Sequence, residues 1–238
     1  MANSSSTLRN GLAILALLRK NGGLRLTEIS NQLILNKSTV LRLLDTLMEL
    51  NYVKKIDKHY SIKHNNSDPY LNWISIPVSK EITNHFQTTA FIGILRNENV
   101  VITQVLPAKK GFEEFKVLGN STPINLSALG KGIVAFLSDE QQVNIVKKLT
   151  FDKGTKYTIT GQKTFLKNLK ITAQKGYALD DEESSIGIRC LAVPIYRNGQ
   201  VIASLGISGS FERLPRQKLQ SIAKELIKCS QQITNEFF

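Results

Sequence analysis

The sequence predicts an α+β chain of two domains, an N-terminal winged helix-turn-helix followed by a larger α/β domain with an antiparallel sheet. Three observations carry this. Residues 1–63 hold three short amphipathic helical segments and then a β-hairpin. The stretch His64-Asn65-Asn66-Ser67-Asp68-Pro69 is polar, lacks an apolar period and contains Pro, so it marks a boundary. Beyond Thr88 the apolar residues turn to strand-like runs with helical segments between them. The 238 residues exceed the roughly 100–200 of one ordinary domain. The expected division is 1–63 for the winged helix, 64–86 for a linker and connecting helix, and 87–238 for the second domain.

Ser4-Ser5-Ser6-Thr7 offers N-caps for a first helix whose Leu8, Leu12, Leu15 and Leu18 recur at helical spacing, and Asn21-Gly22-Gly23 stops it. Thr27 is the expected cap of a short second helix, with Ile29 and Leu33 four residues apart. A third helix is expected from Lys37 to Leu50, burying Val40, Leu43, Leu44, Leu47 and Leu50 and leaving Lys37, Ser38 and Arg42 off that stripe. Asn51 is its stop. The runs 52–56 and 59–62 flank Asp57-Lys58, which reads as a two-residue hairpin turn. Tyr70 to Phe86 reads as a helix that Pro77 kinks or divides. Strands are expected over 90–95, 100–106 and 115–118, and helices over 128–137, 140–149 and 163–175. A hairpin over 188–196 and 201–207 turns at Asn198-Gly199, and an amphipathic helix over 216–237 closes the chain.

Composition narrows the function classes. Hydrophobic residues make up 42% and charged residues 21%, which supports a sizeable core and excludes a disordered polyelectrolyte. The longest apolar run, Leu12 to Leu18, ends at Arg19-Lys20, too short to span a bilayer and without a signal cleavage site. Two cysteines, Cys190 and Cys229, fit a reducing compartment and exclude a disulfide scaffold or a Cys-rich zinc site, so the cytoplasm is expected, with no membrane partner. The net charge of +12 suits a polyanion partner. Residues 1–63 carry ten basic residues against four acidic ones, half of that net charge in about a quarter of the chain.

A recognition helix enters the major groove with its N-terminus leading, so Lys37, Ser38, Thr39 and Arg42 stand where base and phosphate contacts are needed. Thr27 and the hairpin lysines, Lys54, Lys55 and Lys58, extend that surface toward the DNA backbone. The stretch Leu26-Thr27-Glu28-Ile29-Ser30 with Lys37-Ser38-Thr39-Val40-Leu41-Arg42-Leu43-Leu44-Asp45-Thr46-Leu47 resembles the DNA-binding domain of the IclR family of bacterial transcription regulators.

A second resemblance lies in 176–183 and 187–196, Gly-Tyr-Ala-Leu-Asp-Asp-Glu-Glu and Gly-Ile-Arg-Cys-Leu-Ala-Val-Pro-Ile-Tyr, which are similar to the signature of that family's effector-binding domain. Pro123 to Lys131 and Gly206-Ile207-Ser208-Gly209 are similar to its other pocket motifs. Asn125, Gly206 and Arg197 depart from the residues usual at their places. The resemblance implies a GAF-like α/β domain with a small molecule between sheet and loops, touching Ala128, Leu129, Asp180, Cys190 and Ser208. Backbone amides at Ala128 and Leu129 suit a carboxylate, the Ser208 hydroxyl can donate, and Cys190 supplies a small polarisable wall.

Enzymatic patterns are incomplete. Cys190 sits in an apolar run, and all three histidines, His59, His64 and His85, precede the expected sheet. Gly206 to Ser210 misses the last Gly of G-x-S-x-G, and Asn125 to Gly132 lacks the first Gly and the final Ser or Thr of a Walker A loop. Asp180 and Glu183 read as paired acids, metal ligands or, more simply, a hydrogen-bonded loop scaffold. The expected function is a DNA-binding transcription regulator, a repressor on family grounds, whose affinity for double-stranded operator DNA responds to a small-molecule effector, an organic acid. No cofactor, metal or catalytic residue is expected, and the protein is expected to act as a homodimer or homotetramer. The alternative is a metabolite-processing enzyme of the C-terminal fold with a vestigial helix-turn-helix.

Overall fold

The computed structural model describes residues 5–21, 23–50, 52–62, 69–108 and 113–237. Gly22 and Asn51, two of the expected helix stops, lie outside the described residues, as do 64–68 of the expected boundary. The chain divides into two compact units, Met1–Asn65 and Asn66–Phe238.

The first unit runs α1 (Ser6–Asn21), β1 (Leu24–Arg25), α2 (Leu26–Leu33), α3 (Lys37–Glu49), β2 (Val53–Ile56) and β3 (His59–Ile62). Its core joins Ile14 and Leu18 of α1, Ile29 of α2, Val40, Leu43, Leu44 and Leu47 of α3, and Val53 and Tyr60 of the hairpin. The stripe expected on α1 is displaced. Leu8 and Leu12 are 63% and 56% exposed, because the first two turns of α1 extend past the elements that cover Ile14 and Leu18. Leu50 is likewise exposed rather than buried, since α3 ends at Glu49. Thr27 lies inside α2 and is not its cap. The Glu28 carboxylate accepts the Arg25 N–H at 2.6 Å, which starts the helix two residues earlier. Between α2 and α3 the chain turns in three residues, with Ile34 in the left-handed region at φ 53° and the Ser30 hydroxyl donating to the Leu35 carbonyl at 2.6 Å. The short β1 pairs with β3, an addition that the sequence pattern does not signal, giving a three-stranded sheet in the order β1-β3-β2.

The second unit is built on a six-stranded antiparallel sheet, β6-β5-β4-β9-β8-β7. Its strands are β4 (Thr89–Arg96), β5 (Asn99–Leu106), β6 (Ser121–Pro123), β7 (Ala178–Asp181), β8 (Ile188–Arg197) and β9 (Gln200–Ser210). Period-two alternation divides its residues between two cores. Ala90, Ile92, Ile94, Leu191, Val193, Ile195, Ala203, Leu205 and Ile207 pack with α4 (Pro69–Phe86) and α8 (Leu219–Asn235). On the other face Val100, Ala178 and Ala192 meet α5 (Ala128–Val134), and α6 (Asp139–Val146) and α7 (Gln162–Lys175) enclose a satellite core around Phe165 and Leu169. The stretch 115–118 corrects to a 3-10 turn, Glu113–Val117, rather than a strand; the edge position beside β5 goes to β6.

The segment read as linker and connecting helix is divided in the structure. Helix α4 is continuous through Pro77 and belongs to the core of the second unit through Leu71 and Ile82. A buried polar network pins it to β5: the Ser75 and Ser79 hydroxyls each donate to Gln104 Oε1 at 3.1 Å, and Gln104 Nε2 donates to the Asn72 carbonyl at 2.6 Å.

Candidate functional sites in the two units

In the first unit, burying Val40, Leu43, Leu44 and Leu47 turns the opposite side of α3 outward. Lys37, Ser38 and Arg42 are exposed there and Thr39 is half-buried. The Asn36 side chain makes no cap bond, so the leading amides of α3 are not blocked by it. Thr27 is exposed one helix away. The hairpin sorts its lysines by strand alternation. Lys55 stands opposite Tyr60, with its ammonium 5.2 Å from the ring centroid, whereas the neighbouring Lys54 projects to the other face. Lys55, Lys58, Arg25 and Thr27 line a concave notch of about 260 Å³ floored by Leu26 and Tyr60. Arg25, whose Nε donates to His59 Nε2 at 3.3 Å, was not among the expected DNA-binding residues. Its signal was its place directly before Leu26-Thr27-Glu28, but only the β1–β3 pairing brings it to the hairpin.

In the second unit, three expected site residues form one row. Asp180 on β7 is in register with Cys190 on β8, and Cys190 with Ser208 on β9, so their side chains share a face across three adjacent strands. Helix α5 lies on that face because the sheet and the helix present small residues to each other. A Cβ at Gly206 would stand 2.8 Å from Leu129 Cδ2 and one at Gly132 would stand 3.2 Å from the Ala192 Cβ. Ala128 and Leu129 are therefore buried beside the row. Ser127 caps α5, its Oγ accepting the Gly130 N–H at 3.4 Å.

The carboxylate of Asp180 is committed to the loop that follows β7. Oδ1 accepts the amides of Glu183 and Ser184 at 2.7 and 3.3 Å, and Oδ2 accepts the Ser184 hydroxyl at 2.6 Å. Cys190 keeps some solvent-accessible surface, but the atoms packed around its thiol and the nearby Asp180 carboxylate push its pKa up to about 12, against smaller opposing effects of Ser208 and Lys131. A thiol so held is a neutral wall, not a nucleophile.

The residue that sequence reasoning undervalued is Lys131. Its side chain is fully buried, and its Nζ donates to Glu183 Oε1 at 2.7 Å and to the Leu179 carbonyl. Burial pushes the Glu183 carboxyl up, Lys131 pulls it part of the way back, and the Asp180 charge adds to the rise. Next to this pair, Asp181 joins Arg189 at 2.6 Å and Arg216 at 2.8 Å. Among the described residues no group of three or more His, Cys, Asp or Glu could hold a metal ion, and no helix is long and apolar enough to cross a membrane.

Residues 71–235 match the family model for the bacterial transcriptional regulator IclR C-terminal domain, and residues 7–57 match that for the IclR helix-turn-helix domain. The HTH-type transcriptional regulator KdgR of Escherichia coli (strain K12) is 26% identical over 244 residues, covering 98% of this chain and 92% of the relative. The transcriptional repressor IclR of the same organism is 26% identical over 243 residues, covering 96% and 88%. Among solved structures, a double mutant of the inducer-binding domain of the PobR transcription factor from Acinetobacter, in complex with 3-hydroxybenzoic acid, is 25% identical with a TM-score of 0.63. It covers 69% of this chain and 98% of that one.

A winged helix with a cationic reading face, on the same chain as an antiparallel α/β domain with a polar row beneath a helix, defines a regulator that binds DNA and an effector. The chain belongs to the IclR family of bacterial transcription regulators. It is a DNA-binding regulator, and the enzyme alternative gives way to that assignment.

Proposed function

We propose that the protein is a cytoplasmic repressor whose affinity for a roughly two-fold symmetric operator is set by a small carboxylate. One winged helix reads only a short half-site, so specificity requires a homodimer, or a homotetramer built from two of them. Lys37, Ser38, Thr39 and Arg42 read the major groove, while Thr27, Lys54 and Lys58 hold the backbone. The observation that carries this is the first turn of α3, whose Lys37 and Ser38 are exposed and whose leading amides have no side-chain cap, in a unit whose hairpin also exposes Lys54, Lys55 and Lys58. Helix α1, whose Leu8 and Leu12 are exposed, and the segment Tyr70 to Phe86 are the candidate dimer contacts.

The effector rests against Ala128, Leu129, Asp180, Cys190 and Ser208. The shared face of the last three supports this reading, as does the aromatic acid held by the related PobR domain. Relatives named as repressors favour repression over activation. The test is a mobility shift with fragments of the source genome, followed by titration of the captured duplex in the presence of organic acids. Specific capture that a carboxylate weakens or strengthens supports the reading. Capture without sequence preference refutes it.

A further inference from the structure

We propose that Glu183 is an internal stand-in for the effector, its carboxylate occupying on Lys131 the place that the carboxylate of a small organic acid takes on binding. The inference rests on the carboxylate reading above and names the group that receives the acid. Lys131 is fully buried on α5, the helix that covers the row, close enough to act electrostatically on Cys190, and its ammonium has two acceptors, Glu183 Oε1 and the Leu179 carbonyl.

Charge argues for exchange rather than addition. The buried Lys131 ammonium is already paired with the Glu183 carboxylate, and the buried Asp180 carboxylate acts on Glu183 from close by. A third carboxylate added there would be an uncompensated buried anion, which costs several kcal/mol even after relaxation. Replacing Glu183 by the ligand leaves the buried charge unchanged. Asp180 cannot be the group replaced without loss of the loop, since both of its oxygens hold Glu183 and Ser184.

Glu183 is also an incompletely satisfied occupant. Its Oε2 is buried and has no hydrogen-bond partner among the described residues, so the desolvation of that oxygen is not offset by a hydrogen bond. Burial raises its pKa, as an ill-solvated carboxylate requires. Exchange requires the loop that carries it to shift. It lies between β7 and β8, Glu182 and Gly187 take left-handed φ values of 64° and 82°, and Ser185 and Ile186 are exposed. Outside Asp180, its backbone is held by the Thr155 hydroxyl on the Glu182 carbonyl and the Thr158 hydroxyl on the Glu183 carbonyl, each at 2.7 Å, and at its ends by the Glu182 N–H on the Ile188 carbonyl at 3.1 Å and the Phe211 N–H on the Gly187 carbonyl at 3.0 Å. Gly154 lets that strap close, since a Cβ there would stand 2.8 Å from the Glu183 carbonyl oxygen.

The experiment is isothermal titration of the full chain with acetate and 3-hydroxybenzoate, and with acetamide and 3-hydroxybenzamide as uncharged counterparts. Glu183→Gln removes the internal competitor and is expected to raise affinity for both carboxylates roughly tenfold or more, with the amides unaffected. The double variant Lys131→Met with Glu183→Gln, which removes both members of the buried ion pair together, is expected to lose that gain. Independently of any variant, amide exchange across 182–187 of the wild type is expected to quicken when carboxylate is present. Equal carboxylate affinity in wild type and E183Q, a gain that survives loss of Lys131, or unchanged loop exchange in the bound state would each overturn the inference while leaving a carboxylate sensor intact. If neither wild type nor E183Q binds any carboxylate, the carboxylate reading falls and the inference with it.

Discussion

Asp180 and Asp181 are adjacent, and strand alternation sends them into different networks. Asp180 organises the loop; Asp181 ties Arg189 and Arg216. Burial works upward on the Asp181 carboxyl, but the two guanidinium groups outweigh it and hold its pKa below the ordinary value. Such a group contributes stability that is full above the unfolded Asp value of about 3.9 and is lost as pH falls through the lower folded value. The urea midpoint of the second unit should therefore drop more steeply below about pH 4 in wild type than in Asp181→Asn. Parallel acid limbs would remove Asp181 from that role. Cys190 gives a second expectation. With its pKa near 12, alkylation at pH 8 should run about a thousandfold slower than that of a free cysteine, whose pKa is about 8.5. Mass spectrometry of the iodoacetamide-treated native protein measures it, and rapid labelling would contradict the neutral-wall reading. Residue types in the motifs were legible, but partnership was not. Lys131 stood out only as part of a motif, and the pairing that defines it reaches across 52 positions to Glu183.

Elements were legible where periodicity is long and obscure where it is short. The helix 37–49 and the hairpin at Asn198-Gly199, both of whose turn residues take positive φ, follow directly from pattern. Strands β1, β6 and β7, two to four residues long, carry too few residues for alternation to declare itself, and β7 is half acidic. Helix α1 shows the other failure: Leu8, Leu12, Leu15 and Leu18 keep a helical period, yet Ile14 and Leu18 face the core and Leu8 and Leu12 do not. Periodicity finds a stripe without saying how far along the helix it is covered. The turn before α3 yields a prediction at this scale. Ile34 is β-branched, holds a left-handed φ of 53° and is 92% exposed, so it bears backbone strain without giving burial in return. Ile34→Asn should stabilise the first unit by about 1 kcal/mol, since Asn tolerates that conformation better. Urea unfolding with amide exchange assigned to residues 5–62 reports the change; a loss of stability would mean that Ile34 is engaged by something other than solvent.

At the scale of the whole molecule, the polar stretch 64–69 and the concentration of positive charge before it mark off the N-terminal part in the sequence, and the two family matches cover 7–57 and 71–235. What the sequence could not provide was the internal pairing under α5, which depends on the tertiary approach of helix to sheet. The central claim is that α3 reads operator DNA and that the second unit alters its grip. Its most direct test is fluorescence anisotropy of a duplex selected from the source genome, titrated with wild type, Lys37→Ala and Arg42→Ala over a series of salt concentrations, with and without a panel of small carboxylates. Loss of a base contact should cost about 1–3 kcal/mol and narrow the preference over scrambled DNA, whereas loss of a phosphate contact should lower the salt slope by about 0.9. At least one carboxylate should shift wild-type affinity about 5- to 150-fold, the range of ordinary coupling free energies. Wild-type affinity, specificity and salt slope in both variants, with no response to any carboxylate, would contradict the account.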